Sequence, residues 1–284
     1  MQHHLKNLKK IGTILHLCTQ TFKMKNLKFV LGFLAAVVLS SCLDTEEKIV
    51  LNGDNSGNYT MTLDLGRMLK MASAMGGDKS GTDKIKEKKD TTIYLKDLMN
   101  ANDSLSAEEK RLYKDAMIHF KLDEEKDEMM IVMSSPFKTP ADLVEIKKNF
   151  SAVMNKMKAF EKATGEKAKS GDDGAEMDMA AKSTNPVGDQ FLFKAVPGSI
   201  SNTVTNIETF KNTVATDSTL SMITQMTAMT GDFNYHTIIV IPKAVKRYDG
   251  PGSTISADKK TITFSTTLTE MMEHPEKVSY NVEY

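Results

Sequence analysis

Two triplets of methionine stand at helical spacing, Met68/Met71/Met75 and Met222/Met226/Met229. Several thioethers on one face can hold Cu(I). They are equally adaptable packing groups that fill irregular cores or line a pliable apolar pocket. Copper sites of this type usually add His or Cys, and neither stripe contains one. The stripes therefore read as plain core, or as candidate walls of an apolar pocket, and no metal or cofactor is assigned. The histidines beyond residue 42 are His119, His236 and His274, and none has a second His at the spacing a metal site needs. No Gly-x-Ser-x-Gly elbow is present to expose a serine nucleophile. "GGDKSGT" at 76–82 lacks the lysine of a phosphate loop. Asp172, Asp173, Glu176 and Asp178 lack the alternating spacing of a calcium loop. No catalytic, cofactor or metal residue emerges, and the chain reads as a non-enzyme.

Cys42 carries the clearest chemistry. It closes "MKNLKFVLGFLAAVVLSSC", residues 24–42, in which Lys25 and Lys28 precede the apolar run Phe29–Leu39. That run has 11 residues, where a helix across a bilayer needs about 20. Its length and basic front suit the apolar region of a secretory signal peptide. Leu39-Ser40-Ser41-Cys42 resembles the lipobox of bacterial lipoproteins. That resemblance implies a thiol joined to diacylglycerol, cleavage before Cys42, and acylation of the new amino terminus. Residues 1–41 are then a signal peptide whose functional start is Met24, and the mature chain is held to the membrane by lipid. The expected location is the cell envelope, lipid-anchored at the outer membrane. Asp44, Glu46 and Glu47 after the cysteine are similar to an export signal of Bacteroidota-type lipoproteins, and the periplasmic and surface faces both stay open.

Charge narrows the partners. Six of the 37 basic side chains, and none of the 37 acidic ones, precede Cys42, leaving 31 basic against 37 acidic. An acidic body is a poor binder of nucleic acid or anionic headgroups through charge. With Cys18 removed and Cys42 lipidated, no disulfide or thiol site remains.

The elements that must position any site come next. Residues 42–50 read as a lipidated, solvated tether, and 51–284 as one α+β envelope domain. Tyr59, Met61, Leu63 and Leu65 alternate with Thr60, Thr62 and Asp64, the period of a half-buried strand. Met68, Met71 and Met75 mark a short helix. Flexible segments are expected near 76–90 and 164–189, where large apolar side chains are scarce. Ser106-Ala107-Glu108-Glu109 is a capping box. Ile118, Phe120 and Leu122 alternate, an acidic turn follows, and Met129–Met133 is apolar on both faces. That predicts a hairpin whose second strand lies inside the sheet. Thr139-Pro140 opens a helix with Leu143, Ile146, Phe150, Val153, Met154, Met157 and Phe160 on one face. Strands are expected at 190–196, 233–241, 261–266 and 278–284, with a helix capped by Asp217 running to Gly231. Paired strands separated by single helices predict an antiparallel β-sheet with helices packed mainly on one face.

The run "IIVIPKAVKRYDGPGSTISADKKTITFSTTL" resembles the LppM-like bacterial lipoprotein domain. The likeness lies in the strand ending at Ile241-Pro242, the Gly-rich bend, and Ser256 to Phe264. "GNYTMTLDLG" is similar to that family's opening strand. Lys243 replaces a glycine common there, Phe264 a tryptophan, and no C-terminal membrane helix follows. The resemblance implies an α+β envelope domain with a role in lipid or glycolipid handling, and it offers no established catalytic residues to carry over. Three functions are therefore carried forward. The first is a lipid-anchored protein binding an apolar or amphipathic ligand, lipid or glycolipid. The second is a structural subunit of an outer-membrane assembly with a fully packed core and a protein partner. The third and least favoured is an envelope hydrolase using His236 or His274.

Overall fold

Thr45, Glu47, Ile49 and Leu51 are buried and alternate with half-buried neighbours, and this run is strand β1 (Asp44–Leu51). The solvated tether expected over 42–50 is thus, from Asp44 onward, a strand. The acidic residues that suggested a tether obey the strand period, with Glu47 on the inward side. In this computed structural model the chain divides into two compact units, Met1–Ser41 and Cys42–Tyr284. The described residues are 44–67, 69–70, 87–99, 102–157, 190–216, 224, 227 and 231–284, all in the second unit.

A tight turn, in which the Asp54 carboxylate accepts from the Ser56 amide at 3.0 Å, reverses the chain into β2 (Gly57–Asp64). The next strand, β3 (Lys88–Tyr94), begins inside the segment expected to be flexible; residues 76–86 lie outside the described residues. Two short helices follow, α1 (Leu95–Met99) and α2 (Ala107–Tyr113). The expected capping box is present, with Ser106 Oγ accepting from the Glu109 amide. The hairpin of β4 (Met117–Asp123) and β5 (Glu128–Phe137) places β5 between β2 and β4, as its two-faced apolarity requires. Helix α3 (Pro140–Lys156) starts with a reciprocal Thr139–Asp142 box. Leu143, Ile146, Phe150, Val153, Met154 and Met157 are all buried, and Phe160 lies outside the described residues.

The remainder is β6 (Phe191–Val196), β7 (Ser199–Val204), α4 (Ile207–Thr216) and β8 (Asn234–Val240). Then come β9 (Arg247–Asp249), β10 (Ser253–Ile255), β11 (Thr261–Thr267), α5 (Leu268–Glu273) and β12 (Tyr280–Glu283). The expected strand over 278–284 begins later, since Pro275–Val278 is a turn of 3-10 helix that proline favours at its start. The helix expected from Asp217 falls almost wholly outside the described residues, and α4 ends before it.

Two sheets result, making the fold broadly α+β. The eight-stranded sheet runs β10-β11-β8-β1-β2-β5-β4-β3 and the four-stranded one β6-β7-β12-β9. Every described pairing is antiparallel except β1 with β8. The chain changes sheets at Gly250-Pro251-Gly252, between β9 and β10. Gly252 has φ +62°, and a Cβ there would lie 2.2 Å from the Ser265 carbonyl oxygen. Only glycine meets both conditions. The core joins Ile49, Met61, Leu63, Ile118, Met133 and Ile239 of the large sheet to Leu143 and Ile146 of α3, and to Ile200 and Val282 of the small one.

Candidate functional site

Glu47 sits midway along β1 with 1 % exposure. A carboxylate so far from water is tolerated only with partners. Strand register supplies the first ones, setting Met61 of β2 and Thr237 of β8 beside it. The Tyr235 hydroxyl donates to Glu47 Oε2 at 3.1 Å and Thr237 Oγ1 to the same oxygen at 3.4 Å. Its Oε1 faces the Lys147 ammonium of α3 in an ion pair. Lys147 Nζ also lies 4.4 Å from the centre of the Phe193 ring, within cation–π range. Three phenols ring this charge. Burial first, and the Glu47 charge second, push the ionisation of Tyr59, Tyr235 and Tyr280 well above the ordinary phenol range. All three are neutral hydrogen-bonding groups at physiological pH.

These residues line a cavity of about 470 Å³, within the size range of small-ligand sites. The large sheet contributes Glu47, Tyr59, Met61, Tyr235, Thr237, Phe264 and Thr266; α3 contributes Val144, Lys147, Lys148 and Phe150. Phe191, Phe193, Asn202 and Tyr280 come from the small sheet. Phe264 and Tyr280 stack across the two sheets, 4.7 Å between centres and 15° between planes. Glu145, Lys148, Leu192, Thr205 and Pro251 also line the cavity but are exposed, so it opens to solvent on their side.

Two buried polar atoms on residues that line the chamber lack a protein partner. Asn202 and Tyr280 are direct neighbours across the β7–β12 ladder, and both are buried. Asn202 Oδ1 and the Tyr280 hydroxyl make no hydrogen bond. A buried polar atom without a partner costs about 1–3 kcal/mol, and such atoms in native folds call for a bound water or ligand.

The candidate pocket residues named from sequence, Met68, Met71, Met75, Met222, Met226 and Met229, lie outside the described residues, as does Cys42. The cavity is aromatic and polar, with Met61 and Met271 its methionines among the described residues. Other methionines, including Met133, Met154 and Met157, are plain core. Among the described residues no histidine lines the cavity. His236 Nδ1 lies 2.9 Å from Ser265 Oγ on the neighbouring strand, and His119 Nδ1 3.0 Å from Thr92 Oγ1. His274 Nδ1 lies 3.4 Å from the Glu276 carboxylate, both side chains about half exposed. Among the described residues no three His, Cys, Asp or Glu side chains gather as a metal site would require, and no helix is long and apolar enough to cross a membrane. Sequence reasoning missed Glu47, Tyr59, Lys147, Asn202, Tyr235 and Tyr280. The one signal that could have found the first is a glutamate at an inward position of an alternating run.

Comparison with family models, with curated proteins and with solved structures finds no match to this chain.

Proposed function

We propose that this chain is a non-enzymatic lipoprotein of the cell envelope that receives an apolar or amphipathic ligand, a lipid or glycolipid, in the cavity around Glu47. The observation that carries the reading is that cavity, open to solvent, walled by aromatic rings and supplied with buried polar atoms that no protein group satisfies. A structural subunit with a fully packed core would have no use for such a void. Signal-like residues 24–41 and the lipobox-like sequence ending at Cys42 support a diacylglycerol anchor at the outer membrane. The LppM-like run over 238–268 supports the same class. In this reading the helices gather mainly on one face of the large sheet. Inward Tyr59, Met61 and Thr237 share the cavity with α3, while His236, between the lining residues Tyr235 and Thr237, is not part of the described lining.

The test is solvent extraction of the protein purified from native membranes, followed by mass spectrometry. The expected result is a stoichiometric amphipathic molecule, together with a mature amino terminus at an acylated Cys42. Repeated extraction of an empty protein, with no ligand recovered from the parent membranes binding to it, would count against the cavity's role. An unmodified Cys42 with residues 1–41 attached would count against the anchor.

A further inference from the structure

The cavity wall mixes polar with apolar groups, unlike a pocket built for a hydrocarbon tail alone. Glu47, Thr237, Tyr280 and Asn202 lie in it at 1, 4, 6 and 9 % exposure, beside Met61, Met271 and Phe150 at 2, 4 and 5 %, whereas Leu192 at the opening is 46 % exposed. A tail driven inward would strand the Asn202 Oδ1 acceptor and the Tyr280 hydroxyl without partners, which is the costly outcome for buried polar atoms. The wall at Asn202 and Tyr280 therefore suits a polar head.

The charge of that head follows from what is already paired. Glu47 is met by Lys147, Tyr235 and Thr237. An added anion would lie against the Glu47 carboxylate, whose counter-charge Lys147 is committed. Of the other lining lysines, Lys148 is out at the exposed rim and Lys277 is paired with Glu270. An added cation would compete with the Lys147 ammonium for the same carboxylate and the same Phe193 face. An uncharged group carrying hydroxyls meets neither penalty. One of its O–H groups donates to Asn202 Oδ1, and one of its oxygens accepts from the Tyr280 O–H. Its C–H face packs on the aromatic wall of the cavity. We infer that the cavity takes a neutral, polyhydroxylated head, such as a sugar ring, head-first against Asn202 and Tyr280. This rests on the ligand-binding reading above and specifies its chemistry.

The test uses the full chain in lipid vesicles free of other protein, followed by tyrosine emission, which no tryptophan of the chain obscures. Butyl glucoside, butyl phosphate and butyltrimethylammonium share one tail and differ in head charge; methyl glucoside carries the head almost alone. Butyl glucoside is expected to bind at least tenfold tighter than either charged probe. Tyr280→Phe, which keeps the ring, is expected to weaken it at least fivefold while the thermal midpoint holds or rises. Methyl glucoside binding as well as butyl glucoside identifies a free sugar as the source; weaker binding identifies the head of a lipid. Both support the inference. A charged probe that equals or betters the glucoside overturns it and leaves the ligand-binding reading standing, as does undiminished affinity in Tyr280→Phe. Binding of none of the four probes overturns both.

Discussion

At the scale of single residues, the Glu47–Lys147 pair sets the character of the site. Removing one member of a buried ion pair leaves an uncompensated charge and typically costs about 3–5 kcal/mol, whereas replacing both with groups of similar size is often neutral. Lys147 keeps 19 % of its side chain exposed, so the lower end applies. Lys147→Met is expected to lower stability by about 3 kcal/mol. Glu47→Gln with Lys147→Met is expected to recover most of that loss, because the glutamine amide still bonds to Tyr235. Urea unfolding of the two single variants and the double variant, read as a cycle, gives the coupling directly. The sequence hid this pair for a physical reason. Glu47 lies among Asp44, Glu46 and Lys48, and only the inward phase of β1 separates it from those neighbours. That phase depends on β2 and on β8, the latter distant in sequence. Tyr280 and Asn202 are likewise brought opposite each other by a ladder that no local pattern specifies.

Among the elements, those closed by local chemistry were the legible ones. α2 and α3 both begin with side chains that announce themselves, Ser106 with Glu109 and Thr139 with Asp142, and both caps form as their spacing predicts. β6, β8 and β11 likewise follow their apolar alternation. β7 and β9 did not stand out, being rich in Ser, Thr and Asn or only three residues long. They exist because neighbouring strands hold them. The α2 and α3 caps also tie their helices together. Lys156 of α3 bonds to Glu109 at 2.7 Å and Arg111 of α2 to Asp142 at 2.5 Å. The Lys156 contact first, then the Ser106 backbone amide, hold the Glu109 carboxyl down to about 2. Burial raises Asp142, but Arg111 and the cap donors outweigh it and leave that carboxyl below its usual range. A carboxylate held below its unfolded value stabilises the fold above the unfolded value, and that contribution disappears as pH falls through the folded one. Stability is therefore expected to fall between about pH 4.5 and 2. Glu109→Gln is expected to lower stability at pH 6 and flatten that acid limb, as thermal melts at pH 6, 4 and 3 will read.

The whole molecule depends on one parallel pairing. β1 belongs to the first half of the chain and lies between its own hairpin partner β2 and β8 from the second half. Through β8 come β11 and β10, and through the loops around them the small sheet that supplies Asn202 and Tyr280. The cavity cannot form from either half, since Glu47 and Lys147 are in one, and Asn202, Tyr235 and Tyr280 in the other. The pairing also buries apolar edges: Ile49 and Ile239 face each other in register and both are fully buried. Separated, β1 and β8 would present unpaired backbone flanked by Ile49, Leu51, Ile239 and Val240, a template for aggregation. Production of residues 42–170 and 171–284 as separate chains is therefore expected to give insoluble material from each. Co-expression is expected to return a soluble complex that binds the same ligand as the intact protein. A soluble, cooperatively melting 42–170 fragment would mean that β8 merely decorates a complete domain. The site would then belong to an interface between two independently stable bodies, and not to a core that both halves must build.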